Sequence, residues 1–340
     1  MILNQKHADL LNEQVAAGLR GDFQRGWQIA EELKSVAPLC RKAAFNRGWY
    51  EMNRGDLLAG LRCLDNGRWE KVFGDQPLPT TKPIYRNEDL RGKNLLLCGE
   101  GGLGDEILNI RFAQNFAEKG AQVTVTCDPS LMSVFARVPG VASVVAHRAA
   151  PDVFHDYWVP AMSAGSVLNT TYESLRGSTY LSVDREYDRK WQQIVSTKFR
   201  SEDLKLGLRF YGNSNFEQDS LRRFSPESLI QTLNGRPWVN LQKEETDLPM
   251  QSWEDTLGLL NQLDLVITSC TSVAHASAAL GKETWVLVPI MPYYPWAQPG
   301  STSGWYNSVR IFRQKTIGSW QAVFAEVHEA LNERNPYYDR

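Results

Sequence analysis

The sequence predicts an α/β protein of two Rossmann-like halves facing a cleft, preceded by an α-helical extension. Three observations carry that reading. At residues 94–111, NLLLCGEGGLGDEILNIR, a short apolar run stops at a glycine turn and helical spacing follows. Strand and helix patterns alternate after it, and the alternation restarts with a second set beyond residue 184. Before it, Gly21-Asp22-Phe23 recurs as Gly55-Asp56-Leu57, an offset of 34 residues, which is the period of stacked tetratricopeptide (TPR) helix pairs.

A chain of 340 residues with 42% hydrophobic and 22% charged residues can bury two or three cores. Its net charge of −2 argues against a general nucleic-acid coat and leaves room for a local basic cleft. The five cysteines, Cys40, Cys63, Cys98, Cys127 and Cys270, are scattered and form no CxxC pair, so neither a disulfide framework nor a metal site is expected. That usage suits a reducing cytosol. No run approaches the ~20 apolar residues of a membrane span. The first residues carry charges where a signal peptide needs an apolar core, so the expected location is cytoplasmic.

Residues 1–75 read as a helical TPR-like region. A helix pair cannot bury its own face, so the region is expected to pack on the domain that follows, as a helical cap or as a docking surface for a protein partner. Residues 76–92, with Pro77, Pro79 and Pro83, read as a connector. Residues 93–183 form the first Rossmann-like half, with strands at 95–98, 122–126, 142–146 and 156–162 and a helix at 130–138. Residues 184–315 form the second. It opens with a charged helix at 184–199 that reads as a bridge. Strands follow at 204–210, 238–241, 264–268 and 284–288. Helices are expected from Ser225-Pro226, at 253–263 and at 273–280, the first with a cap residue followed by proline at its first position. Residues 316–340 hold a C-terminal helix.

Four stretches carry chemistry. Gly99-Glu100-Gly101-Gly102-Leu103-Gly104 satisfies GxGxxG after a strand, and Asp128 ends the next strand 24 residues past Gly104. That is close to a dinucleotide fingerprint, so an NAD-dependent oxidoreductase is one reading. Asp105 and Glu106 weigh against it, because their charge sits where a pyrophosphate would dock. Asp105, beside Gly101, Gly102 and Gly104, is open between a general base and a helix cap. The second stretch runs from Thr268 to His275. Backbone N–H groups there, with the Thr271 and Ser272 hydroxyls and Val273 behind them, would cradle a diphosphate. His275, four residues after Thr271, is open between a phosphate or ribose donor and a satisfied core histidine. Third, the loop at 211–223 presents Gly212, Asn213, Arg222 and Arg223; arginine pairs with phosphate by bidentate bonds, and a solvated loop is the alternative. Fourth, Tyr293, Tyr294, Trp296 and Trp305 sit among prolines and glycines, where they would stack on a sugar or base or fill a packed corner. HExxH, GxSxG and Walker A patterns are missing from the chain.

Taken in order, these blocks resemble the ADP-heptose:LPS heptosyltransferase-like glycosyltransferases, and more closely their tetratricopeptide-fused relatives. The resemblance rests on GEGGLGDEI, Phe112-Ala113 and the Val138-Pro139-Gly140-Val141 turn in the first half. In the second it rests on Gly207-Leu208, Gly212-Asn213, Arg222-Arg223, Trp253-Glu254-Asp255-Thr256, Thr271-Ser272-Val273-Ala274-His275, Ala279-Leu280-Gly281-Lys282 and Trp305-Tyr306. It implies a GT-B fold, with the nucleotide-sugar donor on the second half and the acceptor against the first. It also implies an inverting, metal-independent transfer of a hexose, pentose or heptose that needs no cofactor beyond the nucleoside-diphosphate sugar itself. By the same resemblance Asp105 is the base, and the segment from Thr271 to His275 holds the donor phosphates. Cys270 stands where the family usually has aspartate, which leaves the donor sugar open. The acceptor stays open among a glycan, a protein side chain and, as in phage-type transferases, a hydroxymethylated DNA base. A repeat-fused scaffold that has lost turnover is the remaining reading.

Overall fold

A computed structural model describes residues 5–70, 81–215 and 219–334. Pro77 and Pro79 of the expected connector and residues 216–218 of the second-half loop lie outside the described residues. By its contacts the chain forms two compact units. The first comprises the residues up to 176 together with Tyr293–Pro299, and the second comprises Gly177–Pro292 together with the residues from 300 onward.

The first unit opens with helices α1 (Gln5–Leu19), α2 (Phe23–Val36), α3 (Arg41–Asn53) and α4 (Leu57–Leu64), followed by a 3-10 turn, Asp65–Glu70. The 34-residue offset has a simple physical origin: the same turn is used twice. Gly21 and Gly55 close α1 and α3 in left-handed backbone, at φ 77° and 96°. The aspartate after each then caps the next helix. Asp22 accepts the Arg25 N–H at 3.0 Å and Asp56 accepts the Ala59 N–H at 2.9 Å. Leu11, Ile29, Leu33 and Ala43 form the core of this helical region.

The sheet of the first unit is built from β1 (Asn94–Cys98), β2 (Gln122–Cys127), β3 (Val141–Ala146) and β4 (Tyr157–Pro160), all parallel, in the order β3-β2-β1-β4. β1 reads as a continuous apolar run because a central parallel strand is covered on both faces, and Leu95, Leu96 and Leu97 are fully buried. The helix expected after the glycine turn divides into α5 (Leu103–Asn109) and α6 (Phe112–Glu118). The helix expected at 130–138 is shorter, a 3-10 turn Pro129–Leu131 that Asp128 caps and then α7 (Met132–Phe135). A last short helix, α8 (Ala164–Val167), follows β4.

The second unit contains α9 (Arg185–Ser196), β5 (Leu206–Arg209), α10 (Asp219–Arg222), α11 (Pro226–Thr232), β6 (Trp238–Asn240), α12 (Trp253–Asn261), β7 (Leu265–Ser269), α13 (Ser272–Ala279), β8 (Thr284–Val288), β9 (Val309–Arg313) and α14 (Gln321–Arg334). Its parallel sheet has the order β6-β5-β7-β8-β9. Leu206, Leu208, Leu265, Ile267, Trp285, Leu287 and Phe312 form its core with Val323, Val327 and Leu331 of α14. The helix that reads as a bridge lies against α12: Trp191 is fully buried, and Lys190 and the Trp191 indole N–H both bond Asp255. Two sets of alternating strands and helices, each built on a parallel sheet, give the α/β architecture of two Rossmann-like halves that the sequence predicts. Among the described residues no helix is long and apolar enough to cross a membrane.

Candidate active site

Each sheet reverses its winding once. In the first, the strands run outward from β1 through β2 to β3, and β4 then falls on the other side of β1. In the second, β6 falls on one side of β5 and β7 on the other. The crevice at the carboxyl ends of the two diverging strands is where open α/β sheets bind ligands. Both glycine- and hydroxyl-rich stretches singled out in the sequence lie at these two points.

At the first point, the loop after β1 folds back on itself. Gly101 has φ +74°, and a Cβ there would stand 2.6 Å from the Asp105 carboxylate, so only glycine permits the approach. Asp105 Oδ2 accepts the Gly102 N–H at 2.9 Å, while Oδ1 accepts the Tyr293 hydroxyl at 2.8 Å. Gly104 and Leu103 begin α5 beside it. Burial pushes the Asp105 carboxyl above its ordinary range, the Glu106 and Glu100 carboxylates add to this, and the two hydrogen bonds oppose it. Burial and then Asp105 raise the Tyr293 phenol well above its usual value, so it stays a donor.

Two further carboxylates brace this loop. Glu100 is buried, forms a forked pair with Arg68 of the 3-10 turn, and accepts the Met162 N–H at 3.2 Å, so it ties the end of β1 to the end of β4. Arg68 also donates to Ser163 Oγ at 2.7 Å, and Ser163 and Ser166 donate to Asp65 at 2.7 and 2.6 Å. These groups, with Arg62 and Arg86, line a cavity of about 380 Å³. Glu106 is buried too. It accepts the Asp128 N–H at 2.9 Å and meets His147 Nε2 at 2.6 Å, while His147 Nδ1 lies 3.2 Å from Thr126 Oγ1. The bond to Glu106 raises the His147 pKa, against the opposing effect of burial. The Asp128 carboxylate is engaged by Ser130, at 2.9 Å to its N–H and 2.6 Å to its hydroxyl.

At the second point, Arg222 joins the two strand ends. It donates to the Asn213 carbonyl at 3.2 Å after β5 and to the Cys270 carbonyl at 2.7 Å after β7, and its Nε pairs with Asp219 at 2.9 Å. Gly212 lies directly against its guanidinium. Arg223 pairs with the other oxygen of Asp219, covers the Tyr211 ring and is half exposed. Arg222 is thus a brace, and Arg223 presents its guanidinium outward.

Thr271 is the N-cap of α13 in extended backbone, and its side chain makes no cap bond. Its hydroxyl lies 3.3 Å from that of Thr268, and the buried Ser269 hydroxyl has no hydrogen-bond partner among the described residues. Ser272 and Val273 therefore begin a helix whose first N–H groups are not taken by the Thr271 side chain. His275 is buried, its Nδ1 2.9 Å from the Tyr306 hydroxyl, which in turn stands 3.2 Å from that of Tyr180. Burial raises the Cys270 thiol pKa, which is the opposite of what a nucleophile needs. Of the aromatics singled out, Trp296 and Trp305 are fully buried and Tyr294 nearly so. Among the described residues no group of three His, Cys, Asp or Glu is placed to hold a metal ion.

Asp219, Arg68 and Glu100 carry more of these two sites than their sequence signals suggest. Asp219 had a signal, its spacing of three and four residues from Arg222 and Arg223. The Arg68–Glu100 pair had none.

No family model matches the chain. It is 25% identical over 331 residues to Protein FlbA of Caulobacter vibrioides, covering 82% of this chain and 54% of that one. The chain thus spans about half the length of the curated relative it matches. Its fold is that of a family 9 glycosyl transferase from Veillonella parvula, with a TM-score of 0.54 at 12% identity over 75% of this chain and 99% of that one. The ADP-heptose LPS heptosyltransferase II of E. coli aligns with a TM-score of 0.50 at 13% identity, over 71% of this chain and 98% of that one.

Proposed function

We propose that the chain is a glycosyltransferase that moves a sugar from a nucleoside-diphosphate donor to an acceptor hydroxyl with inversion and without a metal. What carries the reading is the opposite chemistry of the two switch points in a chain with the family 9 fold: a braced carboxylate at one, an uncapped helix start with hydroxyls and an arginine at the other. In this reading Asp105 takes the proton of the acceptor O–H. The acceptor oxygen forms a bond to the anomeric carbon as the sugar–phosphate C–O bond breaks, and that electron pair leaves with the diphosphate. The α13 N–H groups, Thr271, Ser272 and Arg223 would receive the charge. His275 would act through Tyr306 to hold the helix start, and Arg222 through the two carbonyls it joins.

The E. coli neighbour is named for ADP-heptose and LPS. With Cys270 at the position where the resemblance leads one to expect aspartate, we assign neither sugar nor acceptor from that name; glycan, protein and modified DNA base remain the acceptor classes. The NAD reading would require Asp128 for a ribose, and its carboxylate already caps the following turn.

The test is a thermal-shift screen against UDP, GDP, ADP, CMP, TDP and NADH, repeated with Thr271→Ala and Arg223→Ala. A ligand at 100 times its Kd stabilises by about 2.7 kcal/mol, which is readily seen. One nucleoside diphosphate should shift the melting temperature, and both variants should weaken the shift. A response to NADH alone would overturn the proposal. No response to any of them would favour the scaffold reading.

A further inference from the structure

We infer that Tyr293 is a positioning residue for Asp105, and that residues 293–299 form a strap through which the N-terminal helices hold that carboxylate in place. The inference rests on the proposed role of Asp105.

The strap comes from far along the chain yet belongs to the first unit. At one end the Tyr293 hydroxyl donates to Asp105 Oδ1 at 2.8 Å. Next to it, the buried Tyr294 hydroxyl receives Asn109 Nδ2, from the end of α5, at 3.4 Å. A 3-10 turn, Tyr294–Trp296, follows and buries Trp296 completely. At the other end the Ala297 carbonyl accepts Asn53 Nδ2, from the last residue of α3, at 3.1 Å. Pro292 and Pro295 narrow the conformations open to the segment before it docks, which lowers the entropy lost on fixing it. A line of bonded contacts therefore runs from α3 to the strap to Asp105.

The chemistry at the end of that line is specific. With Gly102 N–H on one oxygen and Tyr293 O–H on the other, the carboxylate cannot rotate, and each oxygen keeps lone pairs for an incoming hydroxyl. Glu100 and Glu106 face the same carboxylate and disfavour its ionised form. Arg68 is bound to the first of these and His147 to the second. Arg111 faces the neighbouring Tyr294. Among these groups Tyr293 is the side chain that donates directly to Asp105, so its loss acts on that carboxylate before any other.

Tyr293→Phe removes one O–H and keeps the ring. The experiment is a carboxyl carbon NMR titration of protein labelled at aspartate, with Asp105→Asn to assign the signal. In Tyr293→Phe the Asp105 midpoint should move upward, because the ionised form has lost a donor. In Asn53→Ala it should move the same way by less. An unchanged midpoint in Tyr293→Phe would overturn the positioning role, and an unchanged one in Asn53→Ala would overturn the strap. With the donor identified by the nucleotide screen, Tyr293→Phe should also lower kcat about tenfold, the equivalent of one charged hydrogen bond, at unchanged donor KM. A rise in KM alone would count against positioning. If the native chain transfers no sugar, the functional proposal fails while the titration still reads the contact; if it transfers sugar and the titration does not move, this inference fails alone.

Discussion

The two switch points solve one mechanical problem with opposite charges. At the first, a buried carboxylate, Glu100, fastens the ends of β1 and β4 by accepting a backbone N–H. At the second, a buried guanidinium, Arg222, fastens the ends of β5 and β7 by donating to two backbone carbonyls. Each brace has its own counter-ion, Arg68 for one and Asp219 for the other. What is left over differs accordingly. Around Glu100 the surplus is carboxylate, with Asp105 turned back on its loop. Around Arg222 it is donors: the start of α13, two hydroxyls and the exposed part of the Arg223 guanidinium, whose Nε is held by Asp219. In the proposed reading the same sheet geometry supplies a proton acceptor at one point and an anion receptor at the other, the division that a sugar transfer requires.

The sharpest way to break that comparison is Asp105→Asn. The shape stays and the base is lost, so transfer should fall by roughly 10²- to 10⁴-fold, the usual contribution of a general base. Nucleotide binding should survive, since the proposal assigns that chemistry to the other unit. Transfer assays with a thermal-shift control would check both halves, and retained turnover would return Asp105 to the status of a helix cap.

Next in size is the loss of either brace. Arg222→Ala leaves Asp219 with Arg223 as its remaining bonded cation, and Arg68→Ala takes the bonded guanidinium from Glu100; breaking a buried pair from one side costs up to about 3–5 kcal/mol. Urea unfolding should show the second substitution to be costly although the residue lies in the helical region, far from either sheet in sequence. Replacing Arg222 and Asp219 together by Met and Leu should cost less than Arg222→Ala, because the buried carboxylate goes with its buried partner and the half-exposed Arg223 is left to solvent. If the double substitution costs more, the carbonyl contacts of Arg222 outweigh its ion pair.

The parts legible in the sequence are those with local physics. Buried parallel strands must be continuously apolar, so β1, β7 and β8 stand out. A glycine closing one helix and an aspartate capping the next leave a repeat. The helix start at Thr271 follows from hydroxyl residues after an apolar strand. The illegible parts are contacts without a period. Tyr293 lies 188 residues from Asp105, and nothing around it distinguishes a donor to a carboxylate from an aromatic packed in a corner. Arg68 lies 32 residues from Glu100, in what reads as repeat rather than site. β9 also escaped, because VRIFR interleaves arginines with apolar residues and lacks the unbroken run of its neighbours.

The smallest expected effect separates the two points by pH. His147 bonds Glu106 and its pKa is raised above the 6.5 of a free imidazole. The folded state therefore binds this proton more tightly than the unfolded chain does. The stabilisation is complete below about pH 6.5 and is lost as pH rises through the higher folded value. The stability gap between the native chain and His147→Gln should thus be wider near about pH 6 than near about pH 9, by urea unfolding at low salt. With the imidazole 41% exposed the gap is small, and salt should shrink it further. A gap that stayed constant with pH would mean that His147 supports Glu106 as a neutral hydrogen-bond donor, with Thr126 donating to its other nitrogen. The carboxylates of the first switch point would then be held without any titrating partner.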